Sequence, residues 1–219
     1  MSKNQGTFMT ILFDLDGTLI DSTEAILESF HNSFKVHNRA HPTDAAIKVL
    51  IGHPLDVMYR DLGIEEEMVW TFVDTYKEHY RVISTQKTVL LKGAREAVLE
   101  ASKFATLGIV TTKTGKYSQI LMEHFGLMQY FEVLIGREDV TYPKPHAEPI
   151  LKAMKQLNAS KNKCWMIGDT RMDLESANNS GIKSVGVTSG YDKEEELSLL
   201  TPVIKNDALE AVRFIAIQG

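Results

Sequence analysis

The stretch Ile11-Leu12-Phe13-Asp14-Leu15-Asp16-Gly17-Thr18 decides how the rest of the chain is interpreted. Its apolar residues predict the end of a buried β-strand, and two aspartates separated by one residue follow directly. In an open α/β sheet, ligands bind beyond the carboxyl ends of the strands. Two carboxylates at that place suit a magnesium ion or phosphate chemistry better than they suit packing. An ordinary strand followed by an acidic turn is the alternative for this stretch alone.

The composition is that of a folded globular protein, with 219 residues, 43% of them hydrophobic and 24% charged. A net charge of −5 without a basic block argues against nucleic acid or anionic membrane as a partner. No apolar run approaches the roughly 20 residues of a membrane span, and residues 1–7 lack the apolar segment of a signal peptide. The single cysteine, Cys164, lies in an apolar run, which predicts a buried inert thiol and fits a reducing cytoplasm.

Residues 21–87 have the apolar spacing of helices. Ile26, Phe30 and Phe34 recur every four residues, and three further helical patterns follow before residue 88. We therefore expect four helices and no strand in this part of the chain, packed as a small bundle.

Strands alternate with helices after residue 88, which predicts a doubly wound, mostly parallel sheet of the α/β class. The expected strands are residues 105–110, 131–135, 163–167, 184–187 and 203–204. The first strand has to pair with these later strands. The predicted domains are therefore an α/β core of residues 1–20 and 88–219, and a helical cap of residues 21–87 that lies near the carboxyl edge of the sheet.

Polar residues follow several of the expected strands and should meet at one edge of the sheet. They are Asp14, Asp16, Thr111, Asp169 and Asp173, with Lys144 in a loop between two prolines. Alone, Lys144 reads as a solvated loop lysine and Thr111 as an ordinary strand-end hydroxyl. Two acidic pairs, a hydroxyl and a lysine on one edge are difficult to explain by packing, so together they predict a functional site.

In their order and spacing, these residues resemble the four motifs of the haloacid dehalogenase-like hydrolases. The motifs correspond to Asp14-Leu15-Asp16-Gly17-Thr18, Thr111, Lys144 and Gly168-Asp169-x-x-x-Asp173. The resemblance covers essentially the whole chain and is nearest to the branch of the phosphoglycolate phosphatases. It implies the Rossmann-like haloacid dehalogenase fold with an inserted four-helix cap domain.

The resemblance also implies the chemistry of the site. Asp14 would be the nucleophile that forms an aspartyl-phosphate. Mg²⁺ would be held by the carboxylates of Asp14 and Asp169 and by the backbone carbonyl of Asp16. Asp173 would orient the waters of the ion from the second shell.

The remaining motif residues would bind the phosphoryl group and move protons. Lys144, the Thr111 hydroxyl and the backbone N–H groups of Leu15, Asp16 and Thr112 would hold the phosphoryl oxygens. Asp16 would protonate the leaving alcohol and then activate water. The family often has asparagine after the threonine, where this chain has Thr112, so a side-chain contact of that asparagine would be lost.

Within the family, an acid at Asp16 indicates phosphate esters or anhydrides, because dehalogenase and phosphonatase members lack it. We therefore expect a magnesium-dependent phosphatase for a small phosphomonoester, with phosphoglycolate as the leading substrate. The alternatives are an inorganic pyrophosphatase, a hexose-phosphate mutase, or a catalytically silent binding or regulatory protein. Mutases commonly carry Glu-Asp where this chain has Gly168-Asp169, which favours the phosphatase.

The expected partner is a small phosphorylated metabolite, and the chain would act as a monomer or homodimer. A small acidic substrate would require a cationic group from the cap. The candidates in the predicted cap are His53, Arg60 and Arg81, and the sequence does not choose among them.

Overall fold

A six-stranded parallel sheet forms the centre of this computed structural model, which describes residues 9–218. The predicted polar start, residues 1–7, lies outside the described residues. In chain order the strands are β1 (Met9–Phe13), β2 (Ile20–Asp21), β3 (Val89–Leu90), β4 (Ala105–Val110), β5 (Phe131–Ile135), β6 (Cys164–Gly168), β7 (Lys183–Val187) and β8 (Ile204–Lys205). The main sheet has the order β5-β4-β1-β6-β7-β8, and all its neighbours pair in parallel. The predicted α/β class and mostly parallel sheet are confirmed.

The sheet is covered by helices on both faces, so its central strand is buried on both sides. Ile11 and Phe13 of β1 belong to the hydrophobic cluster on one face, and Leu12 between them belongs to the cluster on the other. In chain order the helices are α1 (Thr23–Val36), α2 (Asp44–Lys48), α3 (Leu55–Asp61), α4 (Glu66–Lys87), α5 (Ala94–Ala101), α6 (Gly115–His124), α7 (Glu148–Leu157), α8 (Arg171–Ser180), α9 (Glu194–Leu197) and α10 (Ala208–Ala216). Within residues 9–218, no helix combines the length and the apolar character needed to cross a bilayer.

Helices α1 to α4 pack around an aromatic cluster of their own. The rings of Phe30 and Tyr59 lie 4.7 Å apart, and Phe72 packs edge-on against both Phe34 and Tyr59. The four expected helices are present because each contributes apolar residues to this cluster. The predicted boundary between a cap of residues 21–87 and the α/β core stays a prediction.

A two-stranded antiparallel ribbon lies where the chain enters and leaves these four helices. Ile20 of β2 pairs with Leu90 of β3, and Asp21 pairs with Val89. The expectation of no strand in residues 21–87 missed Asp21, because a strand of two residues has no alternation to detect. The short helix α9 was likewise not predicted.

Cys164 is free and fully buried at the start of β6, as the sequence predicted. Burial raises the pKa of its thiol to about 12. The thiol is therefore protonated at neutral pH and unreactive as a nucleophile.

Candidate active site

The strand order brings the predicted site residues together. Strands β4, β1 and β6 are neighbours, so Thr111, Asp14 and Asp169 follow adjacent carboxyl ends at one edge of the sheet. The Asp14 N–H donates to the carbonyl of Ile167 at 3.0 Å, which continues the strand pairing one residue beyond β1. This pairing fixes the direction of Asp14, so its carboxylate lies with the others.

Asp14, Asp169 and Asp173 form a buried acidic cluster. One carboxylate oxygen from each lies within 4.8 Å of the others, and Asp14, the most exposed of them, is only 4% exposed. Burial, together with the charge of Asp173, raises the pKa of Asp14 to about 7. Burial and the two neighbouring carboxylates raise the pKa of Asp169 well above its ordinary value. Three carboxylates in this place are therefore costly unless cations compensate them.

Lys144 supplies one of those cations. Its ammonium donates to Asp14 Oδ1 at 2.8 Å, to Asp173 Oδ1, and to the backbone carbonyl of Val110 at 3.1 Å. Burial opposes its charge, but the carboxylates of Asp14 and Asp173 raise its pKa above the ordinary value. One ammonium leaves two negative charges uncompensated when all three acids are ionised. A divalent cation with oxygen ligands fits that excess.

The three carboxylates differ in the number of hydrogen bonds that their oxygens accept from the protein. Both oxygens of Asp173 are engaged, one by Lys144 and the other by the N–H and hydroxyl of Thr170 at 3.1 and 2.8 Å. Asp169 accepts from the Thr18 hydroxyl at 2.8 Å and from the N–H of Tyr191 at 3.0 Å. Asp14 accepts only from Lys144, and no residue in the described range donates to its Oδ2. Asp14 is therefore the carboxylate that has one oxygen free to bind an ion or to react with a substrate.

Two glycines allow the carboxylates to approach the backbone. Gly17 has φ +86°, and a Cβ there would lie 2.2 Å from Asp169 Oδ2. A Cβ on Gly168 would lie 2.3 Å from Cβ of Asp173. Any side chain at position 168 would therefore displace Asp173 from its present place.

Asp16 lies beside this cluster with partners that sequence reasoning missed. Its carboxylate accepts from Lys113 Nζ at 2.9 and 3.2 Å and from the Ser22 hydroxyl. Although burial opposes the charge of Lys113, the Asp16 carboxylate raises the pKa of this lysine above its ordinary value. The one sequence signal for Lys113 is its place directly after Thr111-Thr112 at the end of β4.

Three backbone N–H groups next to the acids have no protein acceptor within residues 9–218. They belong to Leu15, Asp16 and Thr112. Unpaired N–H groups at strand ends are ready donors for an anion. The Thr112 hydroxyl donates at 2.8 Å to the carbonyl of Gly52, in the loop between α2 and α3. Thr112 therefore joins the edge of the sheet to the group of helices α1 to α4.

A cavity of about 290 Å³ opens from Asp16 between helices α1, α3 and α4 and the sheet edge. Of the three cationic candidates, His53 lines this cavity, whereas Arg60 and Arg81 do not. Arg60 is engaged in ion pairs with Asp56 and Glu66, at 2.7 and 2.6 Å.

Known proteins are similar to this chain in sequence. The sequence profile of the family described as haloacid dehalogenase-like hydrolase matches residues 11–187. A phosphoglycolate phosphatase from Colwellia psychrerythraea is 31% identical over 203 residues, covering 88% of this chain and 89% of that protein. A pyrophosphatase from Halalkalibacterium halodurans is 35% identical and covers 83% of each chain.

The fold also matches a solved structure over nearly its full length. A haloacid dehalogenase-like hydrolase from Streptococcus pneumoniae superposes with a TM-score of 0.84 at 25% identity, covering 94% of this chain and 98% of that one. These comparisons confirm the predicted family, its phosphoglycolate phosphatase-like branch and the prediction of an enzyme of the phosphatase class. With its acidic cluster at the edge of a parallel sheet, the chain belongs to the haloacid dehalogenase-like hydrolase family.

Proposed function

We propose that this enzyme is a magnesium-dependent phosphatase that hydrolyses a small phosphomonoester through an aspartyl-phosphate intermediate. The observation that carries the proposal is the buried cluster of Asp14, Asp169 and Asp173 with Lys144 at the carboxyl edge of the sheet. Burying several ionisable groups at one point is costly, and active sites are where such clusters are concentrated.

Mg²⁺ would be held by the carboxylates of Asp14 and Asp169 and by the backbone carbonyl of Asp16. Asp173, whose oxygens the protein already binds, would orient the waters of the ion. When bound, the ion supplies positive charge that offsets repulsion between an attacking carboxylate and an anionic phosphate.

Asp14 would attack phosphorus with its unengaged oxygen, and the bond from phosphorus to the leaving oxygen would break. Lys144 would hold Asp14 in position and, with the Thr111 hydroxyl, bind the phosphoryl oxygens. The unpaired N–H groups of Leu15, Asp16 and Thr112 would add donors where negative charge develops.

Asp16 would give a proton to the leaving alcohol and take one from the water that hydrolyses the intermediate. Lys113 and Ser22 hold its carboxylate in one orientation. We propose this holding function for Lys113 in addition to the roles that the family resemblance implies.

The predicted division into a core of residues 1–20 and 88–219 and a cap of residues 21–87 is part of the proposal. Several hydrogen bonds join the two parts beside the cavity, among them the one from the Ser22 hydroxyl to Asp16. Thr112 bonds the carbonyl of Gly52, and the Tyr117 hydroxyl bonds the carbonyl of Lys77 at 3.3 Å. A cap held in this way would exclude water during phosphoryl transfer.

We also propose that the protein acts in the cytoplasm, as the sequence analysis expects.

Phosphoglycolate is the substrate that the family branch suggests first, and the phosphoglycolate phosphatase relative supports testing it. Pyrophosphate is the second candidate, because a relative of similar identity is a pyrophosphatase. Gly168, at the position where mutases commonly carry glutamate, argues against the mutase alternative.

The first test is turnover of para-nitrophenyl phosphate by the purified chain. We expect steady release of para-nitrophenol with Mg²⁺ and a return to the background rate in excess chelator. A folded protein that binds Mg²⁺ without releasing product would instead be a catalytically silent binding protein. Activity that persists in chelator would remove the ion from the mechanism.

Magnesium should also stabilise the fold, and more at high pH than at low pH. At about one hundred times its Kd, a bound ion adds about 2.7 kcal/mol, which in a chain of this size raises the Tm by about 5–10 °C. Because the pKa of Asp14 is raised to about 7, its neutral form stabilises the metal-free protein at low pH. That stability is lost as the pH rises through 7. Protons therefore compete with Mg²⁺ at pH 6, and we expect a larger rise in Tm at pH 8.

Thermal unfolding with Mg²⁺ or chelator at both pH values measures this effect. Asp169→Asn should abolish the rise in Tm, because it removes one of the charges that hold the ion. Asp74→Asn, a change at an exposed site on α4, should retain the full rise. Equal rises in the two variants would show that the ion binds elsewhere.

A further inference from the structure

We propose that the substrate's leaving group is an alcohol carrying a planar apolar ring, an inference that rests on the phosphatase function proposed above. Asp16 would protonate the leaving oxygen, so the departing group has to lie beside its carboxylate. The cavity of about 290 Å³ is bordered by Asp16 and Thr112 at the sheet edge. It is therefore the place that the leaving group would occupy.

The walls of this cavity are largely apolar. Ile26, Met58 and Val73 contribute aliphatic surface from α1, α3 and α4. A small acidic leaving group such as glycolate would leave most of this surface uncovered and lose hydration against it. An apolar group would instead bury its own surface there, which is favourable in proportion to the area removed from water.

Aromatic side chains form much of the remaining wall. The rings of Tyr76 and Tyr80 stack at 5.5 Å, and Tyr117 lies 5.9 Å from Tyr80. Trp70 also lines the cavity and is 55% exposed. Flat walls of this kind favour a planar guest, which can stack on a ring face or pack against a ring edge.

The charged groups of the lining do not form a receptor for a second anion. The lining contains three acidic side chains, Asp16, Asp56 and Glu138, and three basic ones, Lys77, Lys113 and Arg137. Lys113 is already paired with Asp16. Lys77 and His53 are only partly buried, so water can hydrate them, and Arg137 donates to the backbone carbonyl of Val140 at 3.2 Å. A carboxylate or a second phosphate would therefore meet as much negative as positive charge.

One polar atom of the cavity lining lacks a partner. Arg137 Nε is buried and makes no hydrogen bond within the described part of the chain. The Tyr80 hydroxyl, by contrast, interacts with the Lys113 ammonium, which lies 4.7 Å from the centroid of the Tyr80 ring. A buried donor without a partner costs free energy, which a ligand atom would recover. The ring of the substrate therefore has one place here for a substituent or ring heteroatom that accepts a hydrogen bond.

The test compares benzyl phosphate, ethyl phosphate and phosphoglycolate with the holoenzyme in saturating Mg²⁺. All three release unactivated alkyl alcohols, so differences in kcat/KM report recognition of the leaving group. We expect kcat/KM for benzyl phosphate to exceed that for ethyl phosphate by about tenfold or more, as apolar pockets discriminate. The value for phosphoglycolate should not exceed that for benzyl phosphate, and neither should the value for pyrophosphate when it is assayed alongside the three esters.

Two substitutions on α4 test whether the preference for benzyl phosphate over ethyl phosphate arises in the cavity. Trp70→Ala should lower the ratio of benzyl to ethyl phosphate kcat/KM severalfold, because it removes an aromatic wall at an exposed position that the fold does not require. Val82→Ala, at an exposed position on the same helix outside the cavity lining, should leave both rates and their ratio unchanged. An unchanged ratio in Trp70→Ala and Val82→Ala alike would contradict the placement.

A preference for phosphoglycolate or pyrophosphate over benzyl phosphate would overturn the inference and leave the phosphatase function standing. Loss of that preference in Lys77→Met would then identify the cation that recognises the second anion. No turnover of any ester, with Mg²⁺ binding intact, would overturn the phosphatase function and the inference together.

Discussion

Replacing Asp14 with asparagine should lower turnover of para-nitrophenyl phosphate by about a thousandfold or more, because the amide cannot attack phosphorus. The fold should survive, because asparagine has the same shape and Lys144 keeps its bond to Asp173. In chelator the variant should be as stable as the parent protein or more so. The substitution removes one of three buried acids, and burial raises the pKa of that acid. Steady-state absorbance and thermal unfolding in chelator measure the two effects.

Asp61→Asn is the matched control for this variant. Asp61 is an exposed acid at the end of α3, outside the cavity lining, and its loss should change neither rate nor Tm appreciably. If Asp14→Asn keeps parental turnover, Asp14 is not the nucleophile. If it loses turnover and also unfolds, the loss of rate reports the loss of structure. A Tm of Asp14→Asn equal to that of Asp61→Asn, together with lost turnover, would identify a chemical effect.

The sequence was enough to predict the sheet and the polar residues at its carboxyl edge, and there is a physical reason for this. The central strands are buried on both faces, so they appear as continuous apolar runs whose ends are marked by the first polar residues. Asp14, Thr111 and Asp169 are such residues, and parallel pairing of β4, β1 and β6 places them at one edge. The family resemblance added roles to these residues, and those roles stay proposals until the variants are measured.

The sequence could not predict how Lys113 and the cavity wall are arranged. A loop lysine has a long flexible side chain, and only the folded structure places its ammonium against Asp16. Val73, Tyr76 and Tyr80 lie on the apolar face of α4. An apolar face has the same periodicity whether it packs into a core or lines a cavity. The sequence likewise did not choose among the cationic candidates, of which His53 lines the cavity and Arg60 and Arg81 do not.

Replacing Asp16 with asparagine should slow turnover by about a hundredfold to ten-thousandfold, the usual contribution of a general acid and base. The two half-reactions should respond differently. Para-nitrophenol is a good leaving group that needs little protonation, so formation of the phosphoenzyme should be slowed less. Its hydrolysis needs a base to activate water, so the intermediate should accumulate. Rapid acid quench after mixing with labelled substrate measures the phosphate bound to protein against time.

The double variant Asp14→Asn/Asp16→Asn is the internal control, because it lacks the carboxylate that would carry the phosphoryl group. Label that accumulates in Asp16→Asn and is absent from the double variant would assign the covalent bond to Asp14 and the proton transfer to Asp16. Lys113→Met should resemble a weaker form of Asp16→Asn. It leaves the Asp16 carboxylate in place but removes the ammonium that orients it at 2.9 Å, so Ser22 alone restrains it. Equal decay of the phosphoenzyme in the parent and in Asp16→Asn would remove Asp16 from the hydrolytic step.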